Sequence, residues 1–101
     1  MTDQTSRSGP MRVLLASSDA SLREPLAKWL CTVYGYRVDA AANVEEAVFQ
    51  VEAAQGRYAV ALVDDLLMPG PESEPQPLGT TLMTEIRARY PNIQLILFTG
   101  L

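Results

Sequence analysis

The sequence predicts one α/β domain built around a parallel sheet. Three observations lead there: short, almost unbroken apolar runs, helical patterns alternating with them, and a cap or turn signal at nearly every junction. Strands this apolar need cover on both faces, and right-handed crossovers between parallel strands leave few topologies.

Each element carries its own signal. Val13-Leu14-Leu15-Ala16 is an apolar run that breaks into Ser17-Ser18-Asp19, as a buried strand does before a turn. Ser21, with Glu24 three residues on, resembles a capping box opening a helix. Leu22, Leu26, Leu30 and Val33 recur at helical spacing, joined by Trp29, and Gly35 supplies the stop. Pro25 removes one backbone donor, so the helix is expected to begin later than Ser21. Tyr36 to Ala41 reads as a second strand. Asn43 caps a second helix that turns Ala47, Val48, Val51 and Ala54 inward and ends at Gly56. Tyr58 to Asp64 is the third strand. Thr80 or Thr81 opens a third helix through Leu82, Met83, Ile86 and Tyr90, Pro91 closes it, and Ile93 to Thr99 forms the fourth strand.

Composition narrows the function classes. The chain has 101 residues, 48% of them hydrophobic, which suits one folded domain. Met1 to Pro10 is polar and reads as a disordered arm, leaving residues 11–101 as the domain. That arm has no apolar segment resembling a signal peptide, and no run is long enough to span a bilayer, so a cytoplasmic location is expected. A net charge of −4 with no basic patch argues against nucleic acid as a partner. The absence of histidine excludes a His-based triad or a His–metal site in this chain. Cys31 is the single cysteine; its place in an apolar helical stretch reads as packing.

The order β-α-β-α-β-α-β suggests a flavodoxin-like, doubly wound sheet with strand order 2-1-3-4 and a switch point between strands 1 and 3. Ligands of such sheets bind beyond the carboxyl ends of the strands. Ser17-Ser18-Asp19, Asp64-Asp65 and Thr99-Gly100 should therefore converge on one crevice. Carboxylates and hydroxyls gathered there suit a hard cation and a phosphoryl group, and not acyl transfer or redox chemistry. The loop after strand 1 has no phosphate cradle of the cofactor-binding kind, and no GxxxxGK[ST] occurs. The same residues also fit plainer roles. Asp64-Asp65 reads equally as a solvated strand end accepting backbone N–H groups, Ser17-Ser18 as a hydroxyl-stabilised turn, and Thr99 as a β-former.

Val63-Asp64-Asp65-Leu66-Leu67-Met68-Pro69-Gly70 resembles the phosphoacceptor segment of response-regulator receiver domains, in which Met-Pro follows the aspartate by three and four residues. That spacing selects Asp65. Arg12 to Asp19 resembles the family's first strand, and Leu95 to Thr99 its fourth. The resemblance implies a two-component, phosphorelay module and not an enzyme acting on other substrates. A histidine kinase would be its partner, Asp65 the phosphoacceptor and Thr99 the switch hydroxyl. It also implies Mg2+ at the site, held by Asp65, the Leu67 carbonyl and an acidic pair at the end of strand 1.

Four departures accompany the resemblance. The acidic-pair positions are Ser17 and Ser18, with Asp19 one residue later as the nearest substitute. Asp64 adds a carboxylate that strand alternation turns away from Asp65. Nine residues separate Pro69 from Gly79, a proline-rich acidic insertion that reads first as a disordered segment and otherwise as a partner-docking lip or a shield beside the crevice. Finally, the family's later elements have no counterpart here, so the chain reads as truncated after the fourth strand, with that strand exposed as a pairing edge for a homodimer. The alternative to a phosphorelay receiver is therefore a pseudo-receiver, a protein-interaction or dimerisation module that keeps the fold without the chemistry.

Overall fold

The computed structural model describes residues 10–99. The elements are β1 (Arg12–Ala16), α1 (Ala20–Tyr34), β2 (Arg37–Ala41), α2 (Val44–Ala53), β3 (Val60–Asp64), α3 (Gly79–Arg89) and β4 (Gln94–Phe98). All strand pairs are parallel and the order is β2-β1-β3-β4, as the sequence predicts. The expected arm, residues 1–10, lies outside the described residues except for Pro10, as does Gly100.

The register decides which side chains share a face. Leu15 pairs with Leu62, and Leu62 with Ile96, so these three point the same way. Leu14, Ala16, Ala61 and Val63 point to the other face, where α2 and α3 cover them with Ala47, Val51, Leu82 and Ile86. This is the main core. Burying a leucine such as Leu14 or Leu82 there contributes about 1.5–3 kcal/mol.

The opposite face carries only α1, which lies over β1 and β2. Val13 and Leu15 are buried beneath it together with its own Leu30, but Ile96 stays 47% exposed. Here the helical periodicity of α1 misleads. Trp29 and Val33 are about half exposed, and only Leu30 of the expected stripe is buried. Cys31, expected to pack, is also exposed. One helix has a single side to offer one sheet, and no second helix among the described residues flanks α1.

Local chemistry moves several boundaries. Asp19, not Ser21, caps α1: its Oδ1 accepts from the Ser21 backbone N–H at 3.0 Å and from Ser21 Oγ at 2.6 Å. The helix therefore starts earlier than expected and runs through Pro25. The carbonyl that Pro25 leaves unpaired belongs to exposed Ser21, where water can satisfy it. Gly35, at φ 70°, ends α1 by donating to the Cys31 carbonyl, while the Tyr36 N–H donates to the Leu30 carbonyl. Asn43 caps α2 through the Glu46 N–H, and the Glu46 carboxylate reaches back to the Ala42 N–H. α3 begins at Gly79 with no side-chain cap. A Cβ at Gly79 would lie 2.5 Å from the Asp64 carbonyl oxygen and 2.9 Å from the Asp65 Cα, so glycine alone lets α3 start against the end of β3.

Candidate functional site at the strand tips

The carboxyl ends of β1, β3 and β4 open onto one cavity of about 390 Å3, lined by Ser18, Asp19, Asp64, Asp65, Leu66, Pro75 and Thr99. The expected convergence of the first, third and fourth strand ends is thus present. Ser17 lies just beneath, fully buried.

Asp65, Ser18 and Ser17 are each held by traceable bonds. Asp65 is half-buried; its N–H donates to the Phe98 carbonyl at 2.8 Å, and its own carbonyl accepts from the Gly79 N–H at 3.1 Å. Ser18 Oγ donates to the Ala42 carbonyl at 2.7 Å and accepts from the Met68 N–H at 2.8 Å. One hydroxyl therefore ties the tips of β1 and β2 to the loop after β3. Ser17 Oγ donates to Asp64 Oδ2 at 2.9 Å and accepts from the Asp19 N–H at 3.2 Å. The Ser17 carbonyl accepts from Arg23 Nη1 at 2.8 Å.

Asp64 is placed differently from the expectation. Strand alternation does separate it from Asp65, but it turns its carboxylate toward the tip of β1, where it is only 5% exposed. Oδ1 accepts from the Leu66 N–H at 3.3 Å. Asp64 is thus neither solvated nor remote from the cavity. Ser17 pairs across to Asp64 because the β1–β3 register, continued one step past Ala16 and Val63, sets them side by side. The sequence held this signal in the strand lengths, but only a fixed register turns it into a contact.

The magnesium ligands implied by the resemblance do not assemble. Serines stand at both acidic-pair positions, and their hydroxyls are already bonded. Asp19 is exposed and spends Oδ1 on its helix cap. Hydrogen bonds from Ser21, chiefly its hydroxyl, hold the Asp19 carboxyl below the usual range. The Leu67 carbonyl accepts from the Gln76 N–H at 2.9 Å, and Leu67 does not line the cavity. Among the described residues, no group of three or more His, Cys, Asp or Glu side chains gathers as a metal site. The site as built does not fit a tightly held divalent cation.

The insertion between Pro69 and Gly79 is ordered by its contacts. Leu67 and Gln76 exchange two backbone hydrogen bonds, each 2.9 Å, and Leu78 donates to the Gln76 carbonyl at 2.7 Å. On the other side, the α2 N-terminus donates from Val44 to the Met68 carbonyl at 2.9 Å and from Glu45 to the Pro69 carbonyl at 3.2 Å. Pro75 forms a wall of the cavity. Gln76 and Pro75 carry no motif, so sequence reasoning gave the loop a place without the contacts.

Solved structures similar to this chain include response-regulator receiver domains. The chain is similar to a CheY-like response regulator receiver domain protein from Methanospirillum hungatei, with 25% identity and a TM-score of 0.69 over 92% of this chain and 66% of that one. The fold is that of a response-regulator receiver domain. A response regulator protein from Thermotoga maritima in complex with Mg2+ and BeF matches at 27% identity and a TM-score of 0.67, covering 90% of this chain and 70% of that one. A chain of a CheX-CheY-BeF3-Mg2+ complex from Borrelia burgdorferi matches at 21% identity and a TM-score of 0.72, covering 96% of this chain and 68% of that one. The chain thus spans about two thirds of the length of these receivers. No family model matches the sequence. Among the described residues no helix is long and apolar enough to cross a membrane.

Proposed function

We propose that this chain is the receiver module of a two-component signalling protein, working through contacts with other signalling proteins and not through magnesium-assisted phosphoryl transfer to Asp65. The carrying observation is the state of the Ser18 hydroxyl. It stands where the receiver pattern puts an acidic residue, and both its donor and an acceptor position are used to tie Ala42 to Met68. The Gln76 N–H on the Leu67 carbonyl supports the same reading. With phosphoryl charge to neutralise and no clustered carboxylates to hold a cation, the pocket lacks what such transfer depends on. The receiver role itself rests on the fold and on neighbours such as the chain from the CheX-CheY complex.

A second reading keeps Asp65 as a phosphoacceptor for a histidine kinase. It is favoured by one observation: Asp65 and Thr99 line the same open cavity. The two separate on incubation with Mg2+ and a beryllium fluoride mimic or a small phosphodonor, followed by intact mass and NMR. The first reading expects no adduct. An adduct formed by the wild type and lost in Asp65→Asn would establish the second. Pairing of copies through the exposed β4 edge, where Ile96 and Leu97 face solvent, belongs to the first reading. Sedimentation giving a monomer at high micromolar concentration would remove it.

A further inference from the structure

We propose that the proline-bearing lip of one copy, residues 70–75, docks on an exposed aromatic ladder at the amino end of the sheet of a second copy. The ladder stands where α1 gives way to β2. The Trp29 and Tyr34 rings meet edge to face with centroids 5.1 Å apart, and Tyr34 stacks on Tyr36 at 5.3 Å with 18° between the planes. Trp29 and Tyr34 are nevertheless about half exposed, as is Val33. Three touching rings left open to solvent are the kind of apolar patch that marks an interaction surface. The contact requires no chemistry at Asp65, so it stands apart from both readings of the phosphoacceptor.

Charge complementarity names the occupant. From Pro25 to Val38 the chain carries Lys28 and Arg37, both exposed, and no acidic residue. Between Arg57 and Arg87 it carries no cation, and the lip presents Glu72 and Glu74 to solvent beside Pro71 and Pro75. An aromatic surface flanked by cations recognises such a segment, because its rings stack on proline and its cations pair with the carboxylates. The lip is also free to be bound. Backbone bonds anchor its flanks at Pro69 and Gln76, but among the described residues none engages residues 70–75. Glu72 holds φ 63°, a left-handed conformation that costs a non-glycine residue energy and clusters at functional segments. Lip and ladder lie at opposite ends of the sheet, so no copy can fill its own ladder. The contact is therefore head-to-tail, each copy offering its lip to one neighbour and its ladder to another.

Sedimentation velocity on the full chain at high micromolar concentration tests this, with the fluorescence of Trp29, the single tryptophan, followed on dilution. The wild type should associate, and more weakly at high salt. Glu72→Lys/Glu74→Lys on the lip and Tyr34→Ser on the ladder, all at exposed positions, should each weaken the association about tenfold. Mixing these two variants should restore it, because the intact lip of one fits the intact ladder of the other, and the complex should stop at two copies. A wild type that stays monomeric at low salt, variants that associate as the wild type does, or a mixture that stays monomeric would overturn the contact. Dimers that survive both variants and vanish in Ile96→Lys would put the interface at β4 and overturn it as well.

Discussion

The two ends of the sheet each hold an aspartate in a largely buried setting, and they treat it in opposite ways. At the amino end, Asp39 on β2 accepts from Arg12 Nη2 at 2.9 Å and from the Tyr58 hydroxyl at 2.8 Å, while the Arg12 guanidinium lies 5.1 Å from the Tyr58 ring centre. At the carboxyl end, Asp64 has a serine hydroxyl and a backbone N–H and, among the described residues, no cationic partner. Charge at the first site is compensated as a structural network. The second carboxylate lies at the cavity wall with neutral hydrogen-bond partners only.

Breaking the amino-end network should cost most. Arg12→Ala removes a charged hydrogen bond, the contact with the Tyr58 ring and the packing of its own stem, and should destabilise the domain by about 2 kcal/mol in urea unfolding. The loss is moderated because both partners remain partly exposed and because Arg12 Nε is buried without a partner. A loss below about 0.5 kcal/mol would reduce the pair to an ordinary surface contact.

Next comes Tyr58→Phe, expected to cost about 1 kcal/mol and to change the pH profile. Burial opposes the charge on Asp39, but hydrogen bonds from Tyr58 and Arg12 outweigh it and hold the carboxyl below its usual range. A depressed carboxyl stabilises fully above its unfolded pKa of about 4, and that contribution disappears as pH falls through the lower folded value. Burial, then Asp39, push the Tyr58 hydroxyl up, so its contribution is complete below about pH 10 and fades above it. Without the hydroxyl, both limbs should flatten. Thermal melts from pH 2 to 11 read this directly, and an unaltered acid limb would show that Tyr58 does not hold Asp39.

Smallest is Asp64→Asn. Its carbonyl can still accept and its amide can still meet Ser17 Oγ, so stability should stay within about 0.5 kcal/mol or rise. Asp39→Asn, measured alongside, should fall instead. Equal losses at the two positions would erase the contrast between the ends.

Some of this was legible from residues alone. The apolar runs of β1 and β3, alternating with helical patterns, determined the parallel sheet and the convergence of its tips, because periodicity and turn chemistry are local. What α1 buries was not legible. Its apolar residues repeat at helical spacing, but how many of them reach the core depends on what else stands on that face of the sheet, so Trp29, Val33 and Cys31 end up exposed. The orientation of Asp64, the ties made by Ser18 and the pairing of Leu67 with Gln76 were decided only in three dimensions. Each joins residues far apart in sequence or inside a loop without a motif, and a hydrogen bond between such residues exists only once strand register has fixed their separation.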